Sequence, residues 1–188
     1  MTMSKIFALV DSNSEEDNAN YLVNRILDGA MNLSTNIITL RYVQRLHVVF
    51  DYVRDHPGEL DDFSDWIDDI RNADVFVIGI TFENGKISEK LGTVLNRFFT
   101  EADSLNLKGK NVIAVVVSDA PGDKVRDFVL SIRERFVKAG MVYVDDLVFI
   151  ETKDCPHARD NNAVDNKALI IGGSLRTNWR TYDDKSAS

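Results

Sequence analysis

Two stretches of the sequence, residues 75–78 and 112–117, are almost continuously apolar and rich in valine and isoleucine. Strands with this pattern are buried on both faces, as in the middle of a parallel sheet. Three further apolar runs alternate with them and with amphipathic segments, so the predicted strands are Lys5–Val10, Asn36–Leu40, Val75–Ile80, Asn111–Val117 and Val142–Ile150. Strands joined through helices require right-handed crossovers, which predicts an α/β fold, a three-layer sandwich around a five-stranded parallel sheet.

The segments between these strands repeat apolar residues every three or four positions, the spacing of one helix face. The repeats are Leu22, Ile26 and Ala30; Trp66 and Ile70; Ile87, Leu91, Leu95 and Phe98; Phe128, Ile132, Phe136 and Ala139; and Val164, Ala168, Ile171, Leu175 and Trp179. Gly140 follows the fourth repeat and is expected to end its helix. Gly172 and Gly173 lie inside the fifth repeat and weaken that prediction, because glycine disfavours helix interiors.

The chain of 188 residues has the size of one ordinary domain. No repeat, low-complexity run or linker divides it, so we predict a single domain over residues 1–182 and a frayed tail over residues 183–188. The least regular stretch, residues 41–60, contains a predicted turn at Pro57 and Gly58.

The composition narrows the classes of partner and compartment. The net charge of −8 makes nucleic acid and anionic membranes unfavourable partners, because both repel an acidic protein. No apolar run approaches the roughly 20 residues that span a bilayer, and no secretory signal is evident. We therefore expect a soluble, cytoplasmic protein. A single cysteine, Cys155, excludes an internal disulfide and a thiolate metal cluster within one chain.

Three polar loops follow predicted strands at the edge where ligands bind in open α/β sheets, beyond the carboxyl ends of the strands. They are residues 11–18 after the first strand, 81–88 after the third and 118–123 after the fourth. Because the carboxyl ends of parallel strands meet at one edge, we expect these loops to converge. Their convergence predicts a ligand site.

The first of these loops supports two interpretations. A small polar loop before a helix can present backbone N–H groups and the positive helix end to a phosphate. Alternatively, Ser12 or Ser14 caps the helix, while Glu15, Glu16 and Asp17 complement its dipole and no ligand is needed. The three consecutive acids oppose a phosphate, and both interpretations stay open.

The loops match parts of a known set of motifs. In a Gly-Ser-x-Arg-x-x-Ser-Asn pattern, Ser12 and Asn18 fall on the serine and asparagine, while Ser14 replaces the arginine and Asp17 the second serine. A second pattern, Ser-Pro-x-Tyr-x-Gly followed by a helix ending in Lys-x-x-x-Asp-Arg, matches at Gly85 and Arg97. Its proline, tyrosine, lysine and aspartate are replaced by Thr81, Glu83, Gly92 and Asn96. Gly122 stands in the position of a Gly-rich loop, and Asp61-Asp62 resembles a pair of acids.

The order and spacing of these positions, from Lys5 to Phe149, resemble the flavodoxin-like NAD(P)H-dependent FMN reductase family. The similarity includes iron–sulfur flavoprotein relatives, although the cysteines that would bind a cluster are absent here. The resemblance implies a flavodoxin-like fold, FMN as cofactor and NAD(P)H as co-substrate. Hydride would pass from nicotinamide through the flavin N5 to a quinone, a flavin or another small-molecule electron acceptor.

The resemblance also implies roles for individual residues. Those implied to bind FMN are Ser12, Asn13, Ser14 and Asn18 at the phosphate, Phe82, Glu83, Asn84 and Gly85 along the ring, and Asp119 and Gly122 at its far edge. No side chain is needed as a general acid or base, so no catalytic residue is assigned. A homodimer formed through helices beside the flavin is implied as well, with Phe99 at the interface. Trp66, Phe98 and Phe99 lie at helical spacing, which is typical of a core or of a subunit interface.

Two alternatives to this function stay open. Glu83 and Asn84 also fit an exposed turn that binds nothing. The lost motif residues favour a non-catalytic flavodoxin-like module that has given up FMN and serves in binding or assembly.

Other chemistry has little support in the sequence. Cys155 and His157 lie close together but have no assignable acid or cation that would activate the thiol. His47 and His56 have no partners at the spacing of metal ligands, so no metal site is predicted.

Overall fold

A computed structural model of the chain describes residues 3–12, 14, 16–31, 36–46 and 62–175. Its strands are β1 (Lys5–Val10), β2 (Ile37–Tyr42), β3 (Val75–Phe82), β4 (Asn111–Ser118) and β5 (Val142–Ile150). The helices of these residues are α1 (Asn18–Met31), α2 (Ile67–Asn72), α3 (Glu89–Thr100), α4 (Gly122–Lys138) and α5 (Asn162–Ser174). Predictions that concern Asn13, Glu15, His47, His56, Pro57, Gly58, Asp61, Trp179 and the tail fall outside the described residues.

The five strands form one parallel sheet in the order β2-β1-β3-β4-β5. This is the doubly wound order of flavodoxin-like proteins, with a switch point between β1 and β3. The central strands β3 and β4 are buried along almost their whole length, as their continuous apolar sequence predicted. The predicted three-layer sandwich with a five-stranded parallel sheet is confirmed.

Three strands have bounds that differ from the prediction: β2 begins one residue later and ends two later, β3 ends two later and β4 ends one later. Thr81 and Phe82 were assigned to a loop but form the last two residues of β3, because pairing continues to Val117 and Ser118 of β4. β2 likewise extends to Tyr42, which pairs with Val10. The third loop is also shorter than predicted, since α4 already begins at Gly122.

The sheet separates two hydrophobic cores. On one face, helices α2, α3 and α4 cover an aromatic cluster of Phe7, Phe63, Trp66, Phe76 and Phe98. On the other face, α1 and α5 cover the second set of strand side chains. Trp66 and Phe98 are therefore core residues, whereas Phe99 is half-buried with its ring 5.2 Å from that of Phe136.

The buried stripe of α4 contains the predicted Ile132 and Phe136 but differs from the prediction in the first half of the helix. Val125, Val129, Ile132 and Phe136 face the core, while Phe128 is only half-buried. Gly140 follows the helix with a φ of 83°, in the left-handed region that L side chains rarely adopt. Its predicted role in ending the helix is confirmed, since Gly140 N–H donates to Val137 O and Met141 N–H to Phe136 O.

Helix α5 continues through the two glycines that weakened its prediction. Gly172 lies where α5 crosses α1, and a Cβ built there would be 1.9 Å from Ile26 O. A Cβ on Gly29 of α1 would be 2.4 Å from Leu169 O. The two backbones approach so closely that only glycine fits, and this close packing offsets the low helix propensity of glycine.

Candidate functional site

The three predicted loops converge at the carboxyl edge of the sheet. Thr81 Oγ1 donates a hydrogen bond of 2.9 Å to Asp11 O, which joins β3 to the loop after β1. Ser118 Oγ donates to Phe82 O at 2.6 Å, which joins β4 to the end of β3. Asn84 N–H donates to Asp119 Oδ1 at 3.3 Å and connects the two following loops. The expected convergence is confirmed.

A tight turn stands at the centre of this edge. Glu83 and Lys86 exchange two backbone hydrogen bonds of 2.9 Å, with Asn84 and Gly85 between them. Asn84 has a φ of 51° and Gly85 a φ of 77°, values that asparagine and glycine tolerate best. A Cβ on Gly85 would meet nothing within 4 Å. Within the described residues nothing accepts a hydrogen bond from Gly85 N–H, so the turn offers an open space and a free donor.

Phe82 supports this turn from the core side. Its side chain is buried and its ring stacks on that of Phe128, with centroids 4.2 Å apart and planes 13° apart. Ser118 Oγ, which holds Phe82 O, also accepts from Ala120 N–H and orders the loop that carries Asp119. The position of the turn is therefore fixed by both packing and hydrogen bonds.

Three amides around the start of α1 have acceptors among the side chains of the first loop. Ser12 Oγ accepts from Ser14 N–H at 3.1 Å and donates to Ser14 O at 2.7 Å. Ser14 Oγ accepts from Glu16 N–H at 3.2 Å, and Asp17 Oδ1 accepts from Ala19 N–H at 3.1 Å. The side chain that caps α1 is thus Asp17, not Ser12 or Ser14 as the sequence suggested.

The side chain of Asn18 joins the start of α1 to the segment after β5. Its Nδ2 donates to Glu151 Oε1 at 2.6 Å and to Pro156 O at 2.9 Å. Its Oδ1 accepts from Ala158 N–H at 2.8 Å. Both N–H groups of the amide are therefore used within the protein, and the side chain is buried.

Asp11 is a buried carboxylate that sequence reasoning did not single out. It is 4% exposed, and its Oδ1 accepts from Gln44 Nε2 at 2.6 Å and from Ser88 Oγ at 2.8 Å. Burial raises the pKa of Asp11, and these hydrogen bonds oppose that shift. Ser88 Oγ also caps α3 by accepting from Leu91 N–H. Asp11 thereby ties the end of β1 to the start of α3.

Carboxylates from several loops surround the turn. Partial burial raises the pKa of the Glu83 carboxyl, although the residue as a whole is exposed. Other carboxylates add to this shift by repulsion: Asp119, Glu151, Asp17 and Asp11. The carboxyl edge of the sheet is therefore electronegative, and it disfavours anionic groups.

The described residues offer little for other kinds of site. No group of three or more His, Cys, Asp or Glu side chains among them is arranged to hold a metal ion. Cys155 Sγ lies 3.8 Å from the backbone oxygen of His157. None of the helices in the described ranges is both long and apolar enough to cross a membrane.

A known protein family and several solved structures are similar to this chain. A family model described as NADPH-dependent FMN reductase matches residues 4–154. No curated protein matches the chain.

Many solved structures share the fold. An NADH:FMN oxidoreductase in its apo form is 15% identical, with a TM-score of 0.66 and coverage of 95% of this chain and 94% of that one. An azoreductase from Bacillus anthracis is 12% identical, with a TM-score of 0.67 and coverage of 92% and 100%. General stress protein 14 from Treponema denticola, in complex with FMN, is 13% identical, with a TM-score of 0.59 and coverage of 92% and 99%.

Identities this low establish only that the fold is shared, which confirms the flavodoxin-like architecture. The family match is more informative, because it covers most of the sequence and all three loops of the carboxyl edge. The resemblance read from the motifs is thereby confirmed, and the chain belongs to the NADPH-dependent FMN reductase family.

Proposed function

We propose that the chain is an FMN-binding oxidoreductase that takes hydride from NADH or NADPH and passes it to a small acceptor. The observation that carries this proposal is the open Asn84–Gly85 turn at the switch-point edge of the sheet, whose Gly85 N–H has no acceptor among the residues that the structure describes. This is the edge at which flavodoxin-like proteins bind FMN.

The residues at the turn fit a flavin ring. Gly85 leaves open space beside the turn, and its N–H can donate to a ring nitrogen without any side chain. Phe82 and Ser118 hold the turn in place from below. Gly122, the exposed first residue of α4, would border the far edge of the ring together with Asp119.

The residues at the first loop fit a phosphate less well. A phosphate bound to the α1 amides must displace the Asp17 cap, which costs about 1 kcal/mol. Each carboxylate within about 5 Å adds roughly 1–3 kcal/mol of repulsion at an effective dielectric constant near 20. A micromolar dissociation constant corresponds to about 8 kcal/mol of binding free energy, so the lost cap and one such carboxylate weaken binding without abolishing it.

The chain's own part in the reaction is to bind and orient. When bound, FMN supplies the ring nitrogen N5 that accepts hydride from nicotinamide and reduces a quinone, a flavin or another small acceptor. Gly85 N–H and the rigid turn would fix the ring, leaving one face open for nicotinamide. No general acid or base is required, so the replaced motif residues do not by themselves remove activity.

A pair of glycines tests this proposal. Gly85→Leu and Gly109→Leu each force a side chain into a left-handed conformation, since φ is 77° and 75°, and neither side chain meets other atoms within 4 Å at Cβ. Each substitution should lower stability by about 1–2 kcal/mol. Gly109 precedes β4, at the opposite edge of the sheet. Oxidation of NADH and NADPH, followed at 340 nm with FMN and a quinone, should fall at least about tenfold for Gly85→Leu only.

The second candidate function is a non-catalytic binding or assembly module that has lost FMN. The self-capped first loop and the carboxylates around Glu83 favour it. Wild-type protein that does not accelerate NADH or NADPH oxidation above the protein-free rate would support this module and contradict the reductase. Equal activity in both leucine variants would place the flavin elsewhere.

Other expectations rest on the sequence and on the resemblance. A cytoplasmic location, a single domain over residues 1–182 and a homodimer through Phe99 and its neighbours stay predictions. The Phe99 ring, which would lie at the dimer interface, is already partly covered within this chain by Phe136 and by the Arg135 guanidinium. That guanidinium lies 4.4 Å from the ring centroid.

A further inference from the structure

We propose that this site recognises flavin by its ring and not by its phosphate, so that riboflavin binds at least as tightly as FMN. The inference rests on the proposed function, because it concerns the same edge of the sheet. It departs from a phosphate-anchored mode of binding, and three features of the described residues support it.

The first feature is that three amides around the start of α1 already have acceptors in the first loop. Ser12 Oγ, Ser14 Oγ and Asp17 Oδ1 take the N–H groups of Ser14, Glu16 and Ala19 at 3.1–3.2 Å. In a phosphate site these amides would point at the anion. Here Asp17 supplies the negative charge at the positive end of α1.

The second feature is that Asn18, one of the two side chains that match the family's first-loop pattern, is hydrogen-bonded elsewhere. Both N–H groups of Asn18 donate within the protein, to Glu151 and to the Pro156 carbonyl. Its oxygen accepts from Ala158 N–H. The side chain of Asn18 therefore has no N–H left for a phosphate oxygen.

The third feature is the balance of charge. Residues 11–18, 81–88 and 118–123 contain seven acidic residues, and Lys86 is their single basic residue. Arg159 approaches the first loop, but its guanidinium donates to Glu16 O at 3.4 Å and lies over the Tyr21 ring. Four carboxylates act electrostatically on Glu83 itself. A dianionic phosphate would be repelled here, whereas the uncharged ribityl chain of riboflavin would not.

A flavin that is held by its ring alone has no phosphate contacts to the protein. It would exchange readily with free flavin, and the chain would then use flavin as a substrate that is reduced and released. This class of substrate includes riboflavin as well as FMN.

The test is a titration of the full-length protein with FMN and with riboflavin, followed by quenching of flavin fluorescence at 20 mM and at 500 mM sodium chloride. We expect the riboflavin dissociation constant to equal or lie below that of FMN at 20 mM salt. Added salt screens repulsion, so FMN should bind about three- to tenfold more tightly at 500 mM, while riboflavin changes less than about twofold. A phosphate held by attraction would show the opposite salt effect.

Two single-charge variants sharpen the test. Asp17→Ser keeps a capping residue and removes a charge at the start of α1, so FMN affinity should rise about tenfold, which corresponds to roughly 1.4 kcal/mol, while riboflavin affinity stays unchanged. Asp28→Ser removes the same charge from an exposed position 11 residues further along α1, and it should change neither affinity.

The outcomes separate this inference from the proposed function. FMN that binds at least about tenfold more tightly than riboflavin, and weakens with salt, would overturn the inference and leave the proposed function standing. Neither flavin binding at about 100 μM would overturn both, since this limit corresponds to a binding free energy weaker than about −5.5 kcal/mol.

Discussion

Replacing Gly172 with alanine should lower the free energy of unfolding by about 3 kcal/mol or more, the upper range for overpacked sites. The added methyl group would be placed 1.9 Å from Ile26 O and 2.9 Å from Ala30 N, both atoms of the α1 backbone. A backbone cannot rotate away as a side chain can, so α1 and α5 would have to separate. The gain of up to about 1 kcal/mol in helix propensity is too small to compensate.

The neighbouring glycine provides the matched control. Gly173 lies in the same helix, but a Cβ there would meet nothing within 4 Å. Gly173→Ala should therefore leave stability unchanged or raise it by up to about 1 kcal/mol. Urea unfolding followed by circular dichroism measures both variants. Equal stability of the two variants would show that α1 and α5 do not cross as closely as described.

Replacing Asn18 with alanine should lower stability by about 2–4 kcal/mol, because it leaves several buried polar groups without partners. The change removes the hydrogen bonds to Glu151 Oε1, Pro156 O and Ala158 N–H. These bonds connect α1 to a segment more than 130 residues later in the chain. Their loss should loosen the packing of α5 on α1.

Asn24→Ala is the matched control for this variant. Asn24 is half-buried on the same helix, but its Nδ2 donates only to O and Oδ1 of Asn20. Its replacement should lower stability by less than about 1 kcal/mol. If Asn18→Ala kept wild-type stability but lost FMN affinity with no change for riboflavin, Asn18 would be a phosphate ligand, as the family pattern implied, and the structural account of its side chain would be wrong.

The fold could be predicted because each level of the sequence agreed with the others. Continuous apolar runs at residues 75–78 and 112–117 required burial on both faces, and amphipathic segments of helical period lay between the strands. The C-terminal end of β3 was not predictable in the same way. Thr81 and Phe82 continue the strand because Val117 and Ser118 pair with them, which is a contact between distant parts of the chain.

The helix through Gly172 shows a second limit of sequence reasoning. Intrinsic propensity disfavours glycine in α5, and nothing in the local sequence reveals that Ile26 O lies opposite. The contact between α1 and α5 therefore determines that the helix continues through Gly172. The short stretch of sequence around Gly172 carries no such signal by itself.

At the candidate site, the sequence predicted which loops meet but not how their side chains are used. The meeting follows from the parallel sheet, since Asp11, Glu83 and Asp119 all follow the carboxyl ends of strands. The partners of Asp11 lie 33 and 77 residues away, and those of Asn18 lie 133 or more residues away. The signal for Asp11 was its position directly after a buried strand, where an acid must find hydrogen-bond donors.

Flavin bound at the carboxyl edge would lie against the Asn84–Gly85 turn. Backbone hydrogen exchange of the full-length protein, with and without saturating riboflavin, tests it most directly. The account predicts slower exchange in residues 82–86 and 118–122, with smaller changes elsewhere. Unchanged exchange in both segments, or protection confined to other elements while riboflavin is bound, would contradict it.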